Sequence, residues 1–189
     1  MDITNSNNFS DKIARLTNQY YSENKKKTFF KNDQKKNFAS SITNSIGFDE
    51  LISNTFYIIP NTQSIFIDYT VFKLYTIPEY YNEVVIYISS LIDQCICKYG
   101  NFNVHINIDT FTMSAAERYK HVISIFLNKC ISTNSGYCLK LHKMFIYNTP
   151  NTFQTISKML MPLIDNEVKS KIVLYDKNDS EEFLKILKG

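Results

Sequence analysis

His105, Asn107 and Asp109 fall at every second position of FNVHINID, residues 102–109. That spacing puts three polar side chains on one face of a strand. An Asp at the carboxyl end of a central strand stands where open α/β sheets present ligands with catalytic or binding groups, and a neighbouring His is a proton acceptor near neutral pH. No second acid or nucleophile occurs at a spacing that would complete an acid–base pair. His105 is therefore expected to be a hydrogen-bonded structural residue, and Asp109 to cap the loop that leads to Ser114. With four glycines in the whole chain there is no GxGxxG or Walker loop, and neither GxSxG nor HExxH occurs, which removes the usual phosphate, serine-hydrolase and zinc-peptidase chemistries. Cys95, Cys97, Cys130 and Cys138 contain no CxxC pair, and His105, His121 and His142 are scattered, so reduced thiols are expected rather than zinc or disulfides. The residues point to a protein that needs no metal or cofactor and is not an enzyme.

Charge divides the chain. Residues 1–40 hold 8 basic and 4 acidic residues, whereas residues 41–189 hold 13 and 14. The basic excess thus belongs to an N-terminal arm, expected to be partly helical or mobile, and the domain follows over residues 41–189. Within the arm, KKKTFFKNDQKK (residues 25–36) carries six lysines beside Phe29 and Phe30. Lys25, Lys26, Lys27 and Lys31 with Phe29 and Phe30 suit contact with an anionic membrane surface, the lysines drawn to lipid phosphates and the rings dipping into the interface. A solvated arm, or a helix docked through its aromatics, accounts for the same residues. Only two arginines accompany 19 lysines, so base-edge recognition of nucleic acid is not expected. The wealth of Lys, Asn and Ile is a bias of AT-rich genomes, giant DNA viruses and some protists among them. No apolar run approaches a membrane span and the N-terminus lacks a signal-peptide core, so a cytoplasmic protein is expected, peripheral to membranes or packaged in a virion.

Beyond the arm, FYIIP (residues 56–60) and SIFIDYTVFKLY (residues 64–75) read as two strands joined by a turn. Helical spacing of Val84, Ile88, Leu91, Ile92 and Cys95 predicts a helix between Pro78 and Gly100. The strand at 102–109 follows, then a helix with Ser114 as N-cap and Glu117 reaching back to it. A strand over Lys143–Tyr147 comes next. It is followed by a helix that Asn151 caps and that carries Phe153, Ile156, Met159, Leu160 and Leu163, with Pro162 at its end. A strand at Lys171–Tyr175 and a short helix close the chain. This alternation predicts an α/β fold: a single mostly parallel sheet, antiparallel at its first strands, with helices packed on it.

The runs VHINIDTFTMS (104–114), KMFIYNTPNTF (143–153), MPLID (161–165) and KSKIVLY (169–175), in this order, resemble the CRAL-TRIO, or Sec14-like, lipid-binding domain. The family's Asn-x-Pro-x-x-Phe turn matches Asn148, Pro150 and Phe153, and its Lys-Ile strand start matches Lys171 and Ile172. The segment NSGYCLKLHK departs from the Tyr-Pro-Glu-Arg-like residues usual before that turn, so the chain looks like a short, divergent form. The resemblance implies a hydrophobic ligand between a sheet floor and a gate helix. Val104, Ile106, Ile108, Met144 and Ile146 would form the floor; Phe153, Ile156, Met159 and Leu160 would lie on the gate. The same residues serve as plain helix–sheet contact if the groove is closed. Two further readings stand beside lipid binding: a degenerate Sec14-like scaffold that binds a protein partner or builds a virion, and, from a second similarity, a STAS-like regulatory domain with Ser114 as phosphate acceptor.

Overall fold

The computed structural model describes residues 3–24, 31–132 and 136–188. Five strands form one sheet: β1 (Phe56–Ile58), β2 (Ser64–Asp68), β3 (Phe102–Asn107), β4 (Leu141–Tyr147) and β5 (Ile172–Leu174). Their order across the sheet is their order along the chain. β1 is antiparallel to β2, and the remaining neighbours are parallel. The architecture is the expected α/β fold.

Consecutive parallel strands need crossovers, and crossovers are right-handed. When spatial order follows chain order, that rule puts every crossover helix on one face. The helices concerned are α5 (Tyr81–Tyr99), α6 (Met113–Phe126) and α8 (Phe153–Leu160). They bury the sheet face that carries Ile67, Val104, Ile106 and Met144 in the main core. Gly100, in a left-handed conformation at φ 80°, ends α5 and donates its N–H to Ile96 O at 2.8 Å, as helix C-termini commonly require. The opposite sheet face receives α10 (Lys177–Lys188), whose Phe183 ring lies 4.7 Å from that of Tyr175.

A second apolar cluster lies beside the first. It joins α1 (Ile3–Glu23), α2 (Lys31–Ile46), α3 (Phe48–Thr55) and α4 (Tyr69–Tyr75) through Phe9, Phe38, Ile42, Leu51 and Tyr75. The Tyr20 and Phe38 rings meet edge to face at 5.0 Å. Lys12 Nζ lies 3.1 Å from Glu50 Oε2 and links α1 to α3, a half-exposed pair of small energetic weight. Helix α2 runs through residue 40, the position at which charge divides the chain. Among the described residues no helix is long and apolar enough to cross a membrane.

Four local expectations are corrected. Residues 64–75 are not one strand: β2 stops at Asp68 and α4 begins at Tyr69. Asp68 Oδ1 accepts from Thr70 N at 2.9 Å and from Thr70 Oγ1 at 2.6 Å, an N-cap that outweighs the β-propensity of the residues after it. The cap of α6 is Thr112, not Ser114: Thr112 Oγ1 accepts from Ala115 N at 3.3 Å, and Ser114 lies inside the first turn. The first turn of α8 is closed by backbone, Phe153 N donating to Pro150 O at 2.8 Å, and Thr152 rather than Asn151 occupies the cap. The strand before it starts at Leu141, directly after the short helix α7 (Tyr137–Lys140). Beyond α6 the chain continues as a π-helical segment, Leu127–Ile131, a form that often marks functional regions. Between α8 and β5 lie a tight helical turn at Met161–Leu163 and the short helix α9 (Asn166–Lys169).

Candidate ligand cavity

Between the crossover helices and the sheet lies a cavity of about 210 Å³. Its floor consists of Ile67, Ile106, Ile108, Met144, Ile146 and Ile172. Val84, Val85 and Ile88 of α5 form one wall, and Val122, Ile123 and Phe126 of α6 another. Phe153, Ser157 and Leu160 of α8, with Met161 and Ile164 beyond it, make the roof. Phe56, Tyr69, Phe72, Phe111 and Tyr119 surround one end. No polar atom faces the space.

An apolar lining of this kind holds water poorly, because water there finds no hydrogen-bond partner. It exceeds the roughly 150 Å³ engineered cavities that stay dry and take up benzene. It falls below the roughly 300–1,000 Å³ of pockets for drug-sized ligands. The space suits one hydrocarbon chain. Met144 and Met161 are flexible and polarizable, so the wall accommodates chains without a strict shape match.

Six of the nine residues proposed from sequence line this cavity: Ile106, Ile108, Met144, Ile146, Phe153 and Leu160. Three do not. Val104 is buried further back along β3 and is part of the core. Ile156 is fully buried in that core, and Met159 packs against it. The reason is the rotation of α8. The residues that face the cavity are 153, 157, 160, 161 and 164, an i, i+4, i+7 series, whereas the reading from sequence followed the i, i+3 stripe beside it. Sequence reasoning also missed the α5 and α6 walls and the aromatic end. The spacing of Tyr69, Phe72 and Tyr75 was the available signal for the latter.

The polar face of β3 does not open into the cavity. His105 Nδ1 lies 2.9 Å from Tyr147 Oη, and its ring stacks on Phe145 with centroids 4.7 Å apart. Burial lowers the His105 pKa to about 4, so the imidazole is neutral at physiological pH. Asn107 Oδ1 accepts from the Asp109 backbone N at 3.1 Å and from Asn148 Nδ2 at 2.8 Å, while Asn107 Nδ2 donates to Asp68 Oδ1 at 3.2 Å. These groups knit the carboxyl ends of β2, β3 and β4 together.

The Asn-Thr-Pro turn is the outer part of that network. Asn148 has φ 57°, a left-handed conformation that Asn tolerates better than most residues. Its N–H donates to Ser180 Oγ at 2.7 Å, which fastens α10. Thr149 donates through N and Oγ1 to Tyr175 O, at 3.1 and 2.9 Å. The turn thereby sets the position at which α8 leaves the sheet and crosses the cavity.

Cys95, Cys130 and Cys138 are buried thiols and Cys97 is exposed; all four are free. Burial raises the pKa of the three buried ones. Among the described residues no group of three or more His, Cys, Asp or Glu side chains comes together. The proposed membrane-contact residues Lys25, Lys26, Lys27, Phe29 and Phe30 lie outside the described residues, as does the side chain of Lys31 at the start of α2.

Comparison with known proteins adds three findings. The family described as CRAL/TRIO domain matches residues 49–188. Nineteen chains of solved structure match, among them the crystal structure of Sfh5, with a TM-score of 0.50 and 10% identity over 65% of this chain and 49% of that one. This is a likeness of fold, and the chain spans about half the length of that relative. No curated protein sequence matches.

Proposed function

This chain belongs to the CRAL/TRIO domain family, whose domains bind lipids and other hydrophobic ligands, and on that premise we propose that it holds one acyl chain or similar hydrocarbon in the cavity beneath α8. The observation that carries the reading is the uninterrupted apolar lining: about 210 Å³ between three crossover helices and the sheet, with no polar atom turned inward. Burial of hydrocarbon there gains roughly 25 cal/mol for each Å² removed from water. Helix α8 and the Met161–Ile164 segment act as the gate, and the domain is a binding module rather than a catalyst. Delipidated protein takes up a fluorescent fatty acyl probe, and native mass spectrometry of the purified protein shows a bound hydrophobic species. A clean apo mass together with no uptake overturns the reading.

The basic segment at residues 25–36 suits attachment of the domain to an anionic membrane surface. The test is co-sedimentation with vesicles containing phosphatidylserine, which weakens as salt rises; equal binding to uncharged vesicles overturns it.

A second reading, a protein-interaction scaffold, is supported by α10, where Phe183 and Ile186 are exposed to solvent. It predicts a stoichiometric partner on purification from the native source, lost when Ile186 is changed to Lys.

A further inference from the structure

At the aromatic end of the cavity stands a group of polar side chains that the reading above does not use. Arg118, in the second turn of α6, holds its guanidinium carbon 5.9 Å from the centre of the Tyr119 ring. Lys73, on α4, holds Nζ 5.7 Å from the centre of the Tyr69 ring and 2.6 Å from Thr110 Oγ1. The Tyr69 and Tyr119 rings meet edge to face with centroids 6.0 Å apart, and both line the cavity. Two cations therefore rest on the two rings that close one end of an apolar space.

Neither cation has a carboxylate partner among the described residues, where the ion pairs involve Lys12, Lys36, Lys171 and Lys185. The one acid whose charge reaches Tyr81, Glu79, is held by Lys36 at 2.5 Å. Arg118 is one of two arginines in the chain. Burial pushes the Tyr69 and Tyr81 hydroxyls up to about 12 and raises that of Tyr119, while the Arg118 charge acts on all three in the opposite sense. These hydroxyls stay protonated at neutral pH within the field of one guanidinium, that of Tyr119 donating to Lys73 O at 3.5 Å.

We propose that Arg118 and Lys73, with the tyrosines beside them, receive the anionic head of a single-chain amphiphile whose tail fills the cavity. The inference rests on the cavity being a hydrophobic-ligand site and names the class of ligand it takes: a carboxylate or phosphate monoester joined to one hydrocarbon chain. A guanidinium matches both oxyanions through paired N–H donors. The cavity volume of about 210 Å³ is on the scale of one hydrocarbon tail.

The test is displacement of the uncharged probe phenylnaphthylamine from full-length protein by dodecanoate, dodecyl phosphate and dodecanol, which share one tail. The expected result is that at least one anion displaces the probe about tenfold better than the alcohol, equivalent to about 1.4 kcal/mol. Whether dodecanoate or dodecyl phosphate is preferred separates the two heads. Arg118→Gln and Lys73→Gln each remove most of that preference and leave dodecanol unchanged. Lys120→Gln, a charge loss elsewhere on α6, leaves all three ligands unchanged. Equal displacement by acid, phosphate and alcohol, unaltered in the variants, overturns the headgroup site while the cavity stands. No binding of the probe or of any of the three overturns the cavity reading, and the headgroup site with it.

Discussion

Asn148 Nδ2 donates to Asn107 Oδ1 at 2.8 Å and joins the carboxyl ends of β4 and β3. The bond holds a residue whose φ is 57°, and the turn it secures directs α8 over the cavity. Asn148→Ala loses both the amide and the tolerance of the left-handed conformation, at a cost of about 2–3 kcal/mol. Asn148→Gly loses the amide but keeps the backbone freedom, and costs about 1 kcal/mol less. Denaturant midpoints of the two variants check the order; equal midpoints argue against a strained turn.

His105 gives the fold an acid-sensitive element. Its pKa is about 4 in the folded protein, against about 6.5 in an unfolded chain. Between these values the unfolded state carries the extra proton, so stability rises with pH. The contribution is fully present above about pH 6.5, declines as pH falls, and is lost by about pH 4, with a total of roughly 3 kcal/mol. In the double variant His105→Phe, Tyr147→Phe, which keeps the stack and removes the polar pair, the stability profile flattens over this range. Thermal unfolding as a function of pH reads it, and an unchanged profile rules His105 out as its source.

Ser157 is the small residue in the roof of the cavity. Ser157→Leu places three extra carbons in space that is otherwise empty. Uptake of a fluorescent acyl probe is expected to fall about tenfold or more, while the apo protein gains up to about 1 kcal/mol because a void is filled. Unimpaired uptake in a folded variant places the ligand elsewhere.

Asp68 Oδ1 accepts from Thr70 N, Thr70 Oγ1 and Asn107 Nδ2. Asp68→Ala leaves the buried Asn107 amide without this acceptor and uncaps α4, for about 2–3 kcal/mol. Asp68→Asn keeps one accepting oxygen and costs under about half of that. Chemical denaturation separates them; identical losses point away from the cap and toward the charge itself.

How far the sequence carried the fold depends on how its apolar residues are spaced. The alternation along residues 102–109 and the turn at Asn148–Pro150 are local signals, and the mostly parallel pairing and the place of α8 after β4 follow from such signals; the order of the strands across the sheet does not, because it depends on contacts between distant segments. The phase of α8 was not legible. Phe153, Ile156, Met159 and Leu160 make as good an apolar stripe as the series through Ser157 and Ile164, and only contact with the sheet selects between them. Tyr69–Tyr75 has strand-like composition, yet a single carboxylate at Asp68 turns it into a helix. The cavity was the least legible part, because emptiness depends on how the volumes of distant side chains fail to add up. Arg118 and Lys73 lie 45 positions apart, and nothing in their local sequence sets them on neighbouring rings.

The chain-order arrangement of the sheet also bears on how the protein is made. Each parallel strand docks on one that has already left the ribosome, so no strand waits for a distant partner. Each closure spans one helix-bearing crossover, so assembly can proceed strand by strand from the N-terminal side. β5 and α10 arrive last, and the Asn148 contact with Ser180 forms only then. The apolar interior under α8 is consequently the final compartment to be sealed, and a ligand present during synthesis meets it while it is still open.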